Sequence, residues 1–321
     1  MLALALAFPL LTLPGARAAN AIETDRKCSV SFSVSGEGNE LTAADTDIKV
    51  NLYKVADVDV SGNYTATKDF TGLNVSSVSA DDKDAAASEW ADRAKEAQKM
   101  LKESVEPTAT VTLAKGIGSK DGLATGLYLV DTPEVVTTNY TYTFTPYLVS
   151  LPTNNYYSNG NDTWIYDLTD TNAIGLKPEE HARYGDLKIN KTLANHNATT
   201  GKKATFVFKI EITPLKGKTE TRIESLDFEA AGDSSVTITK IPAGAKVKVT
   251  EVYSGASYKL TSANDQTATI VATDRSSTNT PTSVSFTNDI DDNMNGGYGV
   301  KNNFKLDENG QYQYTEPAEK N

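Results

Sequence analysis

Three polar residues stand where an alternating sequence calls for apolar ones. In Leu187-Lys188-Ile189-Asn190-Lys191 the side chains of Leu187, Ile189 and Lys191 share a face, because successive residues of a strand point to opposite sides. The same counting in Ala245-Lys246-Val247-Lys248-Val249-Thr250-Glu251 turns Val247, Val249 and Glu251 inward and leaves Lys246 and Lys248 to solvent. In Val284-Ser285-Phe286-Thr287-Asn288 the inward set is Val284, Phe286 and Asn288. Three strands thus end their apolar face on an amine, a carboxyl and a carboxamide.

An unpaired charge in an apolar core costs several kcal/mol, so none of the three is expected to be buried alone. Together they make chemical sense. Burial favours uncharged forms, and a neutral Lys191 amine is a nucleophile. The Cγ of Asn288 is the matching electrophile. Glu251 is placed to polarise the Asn288 amide and to shuttle protons while its nitrogen leaves as ammonia. The product is an uncharged Lys191–Asn288 amide. The other reading of the same residues is that strand ends are where polar residues begin, so that all three reach solvent at a sheet rim.

The elements that must position them are strands. From Cys28 onward the chain is rich in Val, Thr and Tyr with period-two alternation, as in Val30-Phe32-Val34, Ile48-Val50-Leu52 and Tyr140-Tyr142-Phe144. One stretch, 84–104, is instead full of Ala, Glu, Lys and Leu, with Trp90, Ala94, Ala97 and Leu101 at helical spacing, and predicts an amphipathic helix. The chain divides into a leader (1–19), a first β domain (20–174) with that inserted helix, a polar Pro-containing linker (175–184), a second β domain (185–290) and a terminal hairpin or tail (291–321). The second domain has strands expected at 187–191, 204–213, 236–241, 246–252, 267–271 and 283–288. The fold class expected is all-β, with two tandem immunoglobulin-like sandwiches.

The leader reading rests on the apolar run 2–13 followed by Gly15-Ala16-Arg17-Ala18-Ala19, which resembles a signal-peptidase site. A secreted chain with the one cysteine Cys28 forms no internal disulfide, and Cys28 reads as a small apolar residue of the first mature strand. The net charge of −11 argues against nucleic acid as a partner. His181 and His196 form no catalytic or metal constellation, and no Gly-x-Ser-x-Gly or His-Glu-x-x-His pattern points to a hydrolase. The Asp289-Ile290-Asp291-Asp292-Asn293 run departs from the EF-hand spacing, so no metal and no cofactor are expected. No segment after the leader is expected to span a membrane.

The segments Gly185-Asp186-Leu187-Lys188-Ile189-Asn190-Lys191-Thr192, Ile241-Pro242-Ala243-Gly244-Ala245-Lys246-Val247-Lys248-Val249-Thr250-Glu251 and Ser285-Phe286-Thr287-Asn288 together resemble the collagen-adhesin B-type domains of Gram-positive pilins and adhesins. In that family a Lys near the end of the first strand joins an Asn or Asp of the last, helped by a Glu in a Val-Thr-Glu-like strand. The resemblance implies the isopeptide bond Lys191–Asn288 with Glu251 as proton shuttle, a single-turnover self-reaction and not an enzyme. The first domain resembles the N-terminal domain of pilin backbone subunits through Val50-Asn51-Leu52-Tyr53-Lys54-Val55-Ala56, Gly126-Leu127-Tyr128-Leu129-Val130 and the Tyr142–Pro152 stretch. It lacks an inward Lys in its first strand and a well-placed Asn in its last, 164–168.

The resemblance further implies a pilus or stalk subunit, secreted and displayed at the cell surface, that sortase joins to copies of itself or to other pilins. Lys177 in Gly175-Leu176-Lys177-Pro178 is then the acceptor candidate, although the family's Tyr-Pro before the Lys is absent. The sequence ends in Thr315-Glu316-Pro317-Ala318-Glu319-Lys320-Asn321 in place of an LPXTG-like signal, which reads either as a sequence cut short of that signal or as a secreted relative. The alternative function is an adhesin that binds a host ligand through the first domain, by the loop around Tyr156-Tyr157-Ser158-Asn159-Gly160 or by the helix.

Overall fold

The computed structural model describes residues 11–12, 21–34, 40–43, 46–79, 83–154, 163–169, 173–197, 203–255, 257–275, 280–291, 303–306 and 312–315. Apart from the two-residue strand Leu11–Thr12, the leader expected over 1–19 lies outside the described residues, as does the loop 156–160. The chain divides into two compact units, Met1–Arg183 and Tyr184–Asn321. The all-β class holds, with one α-helix among the described residues.

The first unit comprises β1 (Cys28–Ser33), β2 (Asp47–Val58), α1 (Lys83–Met100), β3 (Ala109–Ala114), β4 (Ile117–Leu123), β5 (Gly126–Asp131), β6 (Tyr140–Phe144), β7 (Tyr147–Leu151), β8 (Asp167–Leu168) and β9 (Pro178–Ala182). Its main sheet runs in the order β7-β5-β2-β3-β4-β1-β8. A two-residue turn with positive φ at Lys115 (53°) and Gly116 (79°) joins β3 to β4, the backbone that matches a hairpin's right-handed twist. Both faces of this sheet are covered, and β5 shows why its sequence is apolar without a break. Leu127 and Leu129 pack toward α1 with Tyr53, Val55, Trp90, Ala94 and Ala97, while Tyr128 and Val130 join Phe32, Val50, Leu52 and Tyr142 on the other side. The helix ends at Met100 and not at residue 104; the Leu101 amide bonds back three residues to Gln98 O (3.1 Å), and the chain leaves the helix there.

Two expectations in this unit are corrected. The segment 164–168 is not one strand: Trp164–Ile165 pairs with Thr153–Asn154, and Asp167–Leu168 runs parallel to β1. The stretch 175–184 is not a free linker. Ile174–Gly175 pairs in parallel with Phe32–Ser33, and β9 pairs antiparallel with β6 from Tyr140↔Ala182 to Phe144↔Pro178. Its polarity reflects an exposed outer strand, with Pro at the first position, where no ladder amide is needed.

The second unit is a sandwich of two four-stranded sheets. Its strands are β10 (Tyr184–Leu193), β11 (Ala204–Thr213), β12 (Glu220–Phe228), β13 (Gly232–Pro242), β14 (Lys246–Tyr253), β15 (Tyr258–Leu260), β16 (Asp265–Thr269) and β17 (Thr282–Ile290). One sheet has the order β13-β10-β17-β15, the other β12-β11-β14-β16. Burial follows strict alternation in β10 and β11, so Leu187, Ile189 and Leu193 face Phe206, Phe208 and Ile210 across the core. The first and last strands, β10 and β17, are parallel neighbours with Lys191 opposite Phe286. A terminal hairpin pairs β18 (Asn303–Leu306) with β19 (Tyr312–Thr315).

Candidate functional site

The inward phase of three strands decides the site. Lys191 follows Leu187 and Ile189 on the buried face of β10, Glu251 follows Val247 and Val249 on β14, and Asn288 follows Val284 and Phe286 on β17. None of the three reaches the rim. Lys191 and Asn288 are 0 % exposed and Glu251 is 7 % exposed, because Leu193, Phe228 and Tyr258 still close the core beyond them.

The side chains converge on one another. Lys191 Nζ donates to Glu251 Oε2 at 2.8 Å, and Asn288 Nδ2 donates to Glu251 Oε1 at 2.6 Å. The amine also contacts Asn288 Oδ1 directly. One carboxylate oxygen therefore faces the Lys191 amine nitrogen and the other faces the Asn288 amide nitrogen. The ring of Phe206 lies against the amine, 4.4 Å from Nζ to its centroid, and is itself packed edge-on to Phe228 and tilted against Tyr258. Burial lowers the Lys191 pKa below the ordinary lysine value, and the hydrogen bond and charge of Glu251 recover part of that loss.

Local backbone features aim Glu251. The β11–β14 ladder slips at Val207/Phe208, where Phe208 faces Glu251 and Val207 faces Tyr253, so Val252 is an extra residue bulged out of the pairing. Val252 and Tyr253 are both exposed, and Glu251 is the last inward residue of its strand. At Asn288 the backbone carbonyl accepts from Ala194 N at 2.9 Å, which holds the end of β10 against β17.

The remaining residues singled out in the sequence lie elsewhere. Lys177 is exposed in the first unit, between a buried Leu176, whose amide donates to Ser33 O at 2.8 Å, and Pro178 at the start of β9. Cys28 is buried in β1, and burial pushes its thiol up to about 11. His181 is exposed, with Nε2 3.1 Å from Thr143 Oγ1, and His196 sits beside Tyr258. Among the described residues no group of three or more His, Cys, Asp or Glu is placed to hold a metal ion, and no helix is long and apolar enough to cross a membrane. Sequence reasoning missed the Phe206 ring as a partner of the amine. The signal for it was present in the inward series Ala204, Phe206 and Phe208, but such a series reads only as core.

A family model described as a domain of unknown function (DUF5979) matches residues 187–291, which contain all three converging residues. No curated protein matches in sequence. Among solved structures the chain is similar to the minor pilin GBS52 of Streptococcus agalactiae, at 12 % identity over 82 % of this chain and 95 % of that one, with a TM-score of 0.23. It is also similar to the major pilin SpaA of Corynebacterium diphtheriae (11 % identity, 82 % and 100 % covered, TM-score 0.24). The major pilin SpaD of the same organism gives 12 % identity, 86 % and 100 % covered, and a TM-score of 0.25. Similarities of this size leave the reading of function to the chain's own residues.

Proposed function

We propose that the second unit locks itself with an amide between Lys191 and Asn288, and that the chain is a structural subunit of a pilus or cell-surface stalk. The observation that carries the reading is the buried Lys191–Glu251–Asn288 contact set, in which each carboxylate oxygen meets one of the two nitrogens that exchange. The neutral Lys191 amine attacks Asn288 Cγ, and a new Nζ–Cγ bond forms. Glu251 Oε2 takes one proton from Nζ, Oε1 delivers one to Nδ2, and the Cγ–Nδ2 bond breaks with release of ammonia. Amine and carboxamide become a secondary amide and ammonia, and Glu251 ends as it began. The reaction occurs once per chain, so the protein is not an enzyme in the ordinary sense.

The product suits a fibre outside the cell. It turns a buried amine, whose charged form costs desolvation, into part of a neutral link that reductants do not cleave. The family resemblance extends the reading to assembly: sortase joins this subunit through the exposed Lys177 to another copy or to a different pilin. Peptide mapping tests the lock. A branched peptide containing Lys191 and Asn288 is expected from the wild type and is absent from Glu251→Ala; separate unmodified peptides in the wild type would overturn the reading. Coexpression with a sortase tests assembly by ladders that survive boiling, expected for the wild type and lost in Lys177→Arg.

A further inference from the structure

The chain crosses from one sheet to the other between β15 and β16, and this crossing turn touches the backbone beside two of the three reacting residues. On one side, Thr261 N and Ser262 N donate to Thr287 O at 2.8 and 3.4 Å, and the Thr261 hydroxyl donates to the same oxygen at 3.0 Å. Thr287 N in turn donates to Ser262 Oγ at 3.1 Å. Both backbone groups of the residue before Asn288 are thus held by the turn. On the other side, the β14–β16 ladder ends at Thr250↔Asp265, so the next amide of β14 has no strand to bond. That amide belongs to Glu251, and it donates to the side-chain oxygen of Asn264 at 3.1 Å. Asn264 stands in for a strand residue one position before the Val252 bulge, on the side of Glu251 away from its partner Phe208 on β11.

We propose that the turn 261–265 is a bracket that sets the position of the Glu251 carboxylate relative to the Asn288 amide, with Asn264 and Ser262 as positioning residues for the cross-link. A sandwich has no backbone bonds between its two sheets, so the register of a carboxylate on one sheet against an amide on the other rests on side-chain packing unless something spans both. This turn spans both, within one residue of each group. The proposal rests on the self-locking reading of the second unit.

The full chain is recovered unfolded, refolded by dilution, and followed by intact mass as ammonia is lost, for the wild type, Asn264→Ala, Asn264→Asp and Ser262→Ala. Near-UV circular dichroism confirms that each has folded. Loss of the bracket is expected to slow ammonia release in Asn264→Ala and Ser262→Ala by on the order of tenfold to a hundredfold, the penalty of a small misplacement of a reacting group. Asn264→Asp keeps the acceptor oxygen and is expected to react close to the wild-type rate, a rescue that a role in stability alone does not predict. If Asn264→Ala does not fold, Ser262→Ala decides on the same criterion. Folded variants that release ammonia as fast as the wild type overturn the bracket and leave the cross-link standing. A wild type that releases none overturns both.

Discussion

At Lys191 two effects oppose each other. Removal from water favours the neutral amine, while the Glu251 carboxylate favours the ammonium; the net direction is a lowered pKa, so burial prevails. The sign for reactivity follows. Below the folded pKa the nitrogen carries a proton and has no lone pair to offer, and above it the amine is free. The rate of ammonia release on refolding is therefore expected to rise with pH through a midpoint below the ordinary lysine value of 10.5 and then level off. A rate still climbing through 10.5 contradicts this. Stability gives a second prediction at this scale. Relative to the fold before cross-linking, Lys191→Met leaves the Glu251 carboxylate buried without the amine that donates to it, and Glu251→Ala leaves the amine without its carboxylate partner, each at a cost of about 3–5 kcal/mol. Lys191→Met/Glu251→Leu removes both charges, and its urea midpoint is expected above that of either single variant although none of the three cross-links.

At the scale of elements, the start of β10 is held by a close backbone approach. A Cβ at Gly185 would lie 1.9 Å from Val271 O, and Thr273 N donates to Tyr184 O just beside it. Backbone cannot move aside as a side-chain tip does, so Gly185→Ala is expected to cost about 1–3 kcal/mol, read as a lower urea midpoint with unchanged slope. How far such elements are legible depends on whether one face is cleanly apolar. In β10, β14 and β17 alternation is unbroken up to the polar residue, so the inward phase of Lys191, Glu251 and Asn288 can be counted from the sequence. In β12 the inward positions hold Arg222, Glu224 and Leu226, because an edge strand turns charges inward where the sandwich opens, and no strand was expected there. The bracket was illegible for a different reason: Thr261, Ser262 and Asn264 are ordinary turn residues, and only the register of two separate sheets gives them partners.

For the second unit as a body, the proposed link joins residues 97 apart in sequence and close to the two ends of the domain. In the chain-entropy picture used for disulfides, closing a loop of that length stabilises by roughly 4–5 kcal/mol. With the proposed amide in place, tension applied at Tyr184 and Ile290 is expected to run along β10 to Lys191, across the amide and out through Asn288, so that the chain between them carries none of it. Single-molecule stretching of the wild type is expected to lack an unfolding event from this unit that Glu251→Ala displays, an added length of roughly 300 Å for that stretch of chain. Reductant is expected to change neither trace, since Cys28 has no partner cysteine within the chain.

The most direct test of the self-lock is the intact mass of the denatured wild type beside denatured Glu251→Ala. The wild type is expected to be lighter than its formula by one ammonia and the variant to match its own. A wild type at its full formula mass would contradict the cross-link, whatever the proximity of the three side chains.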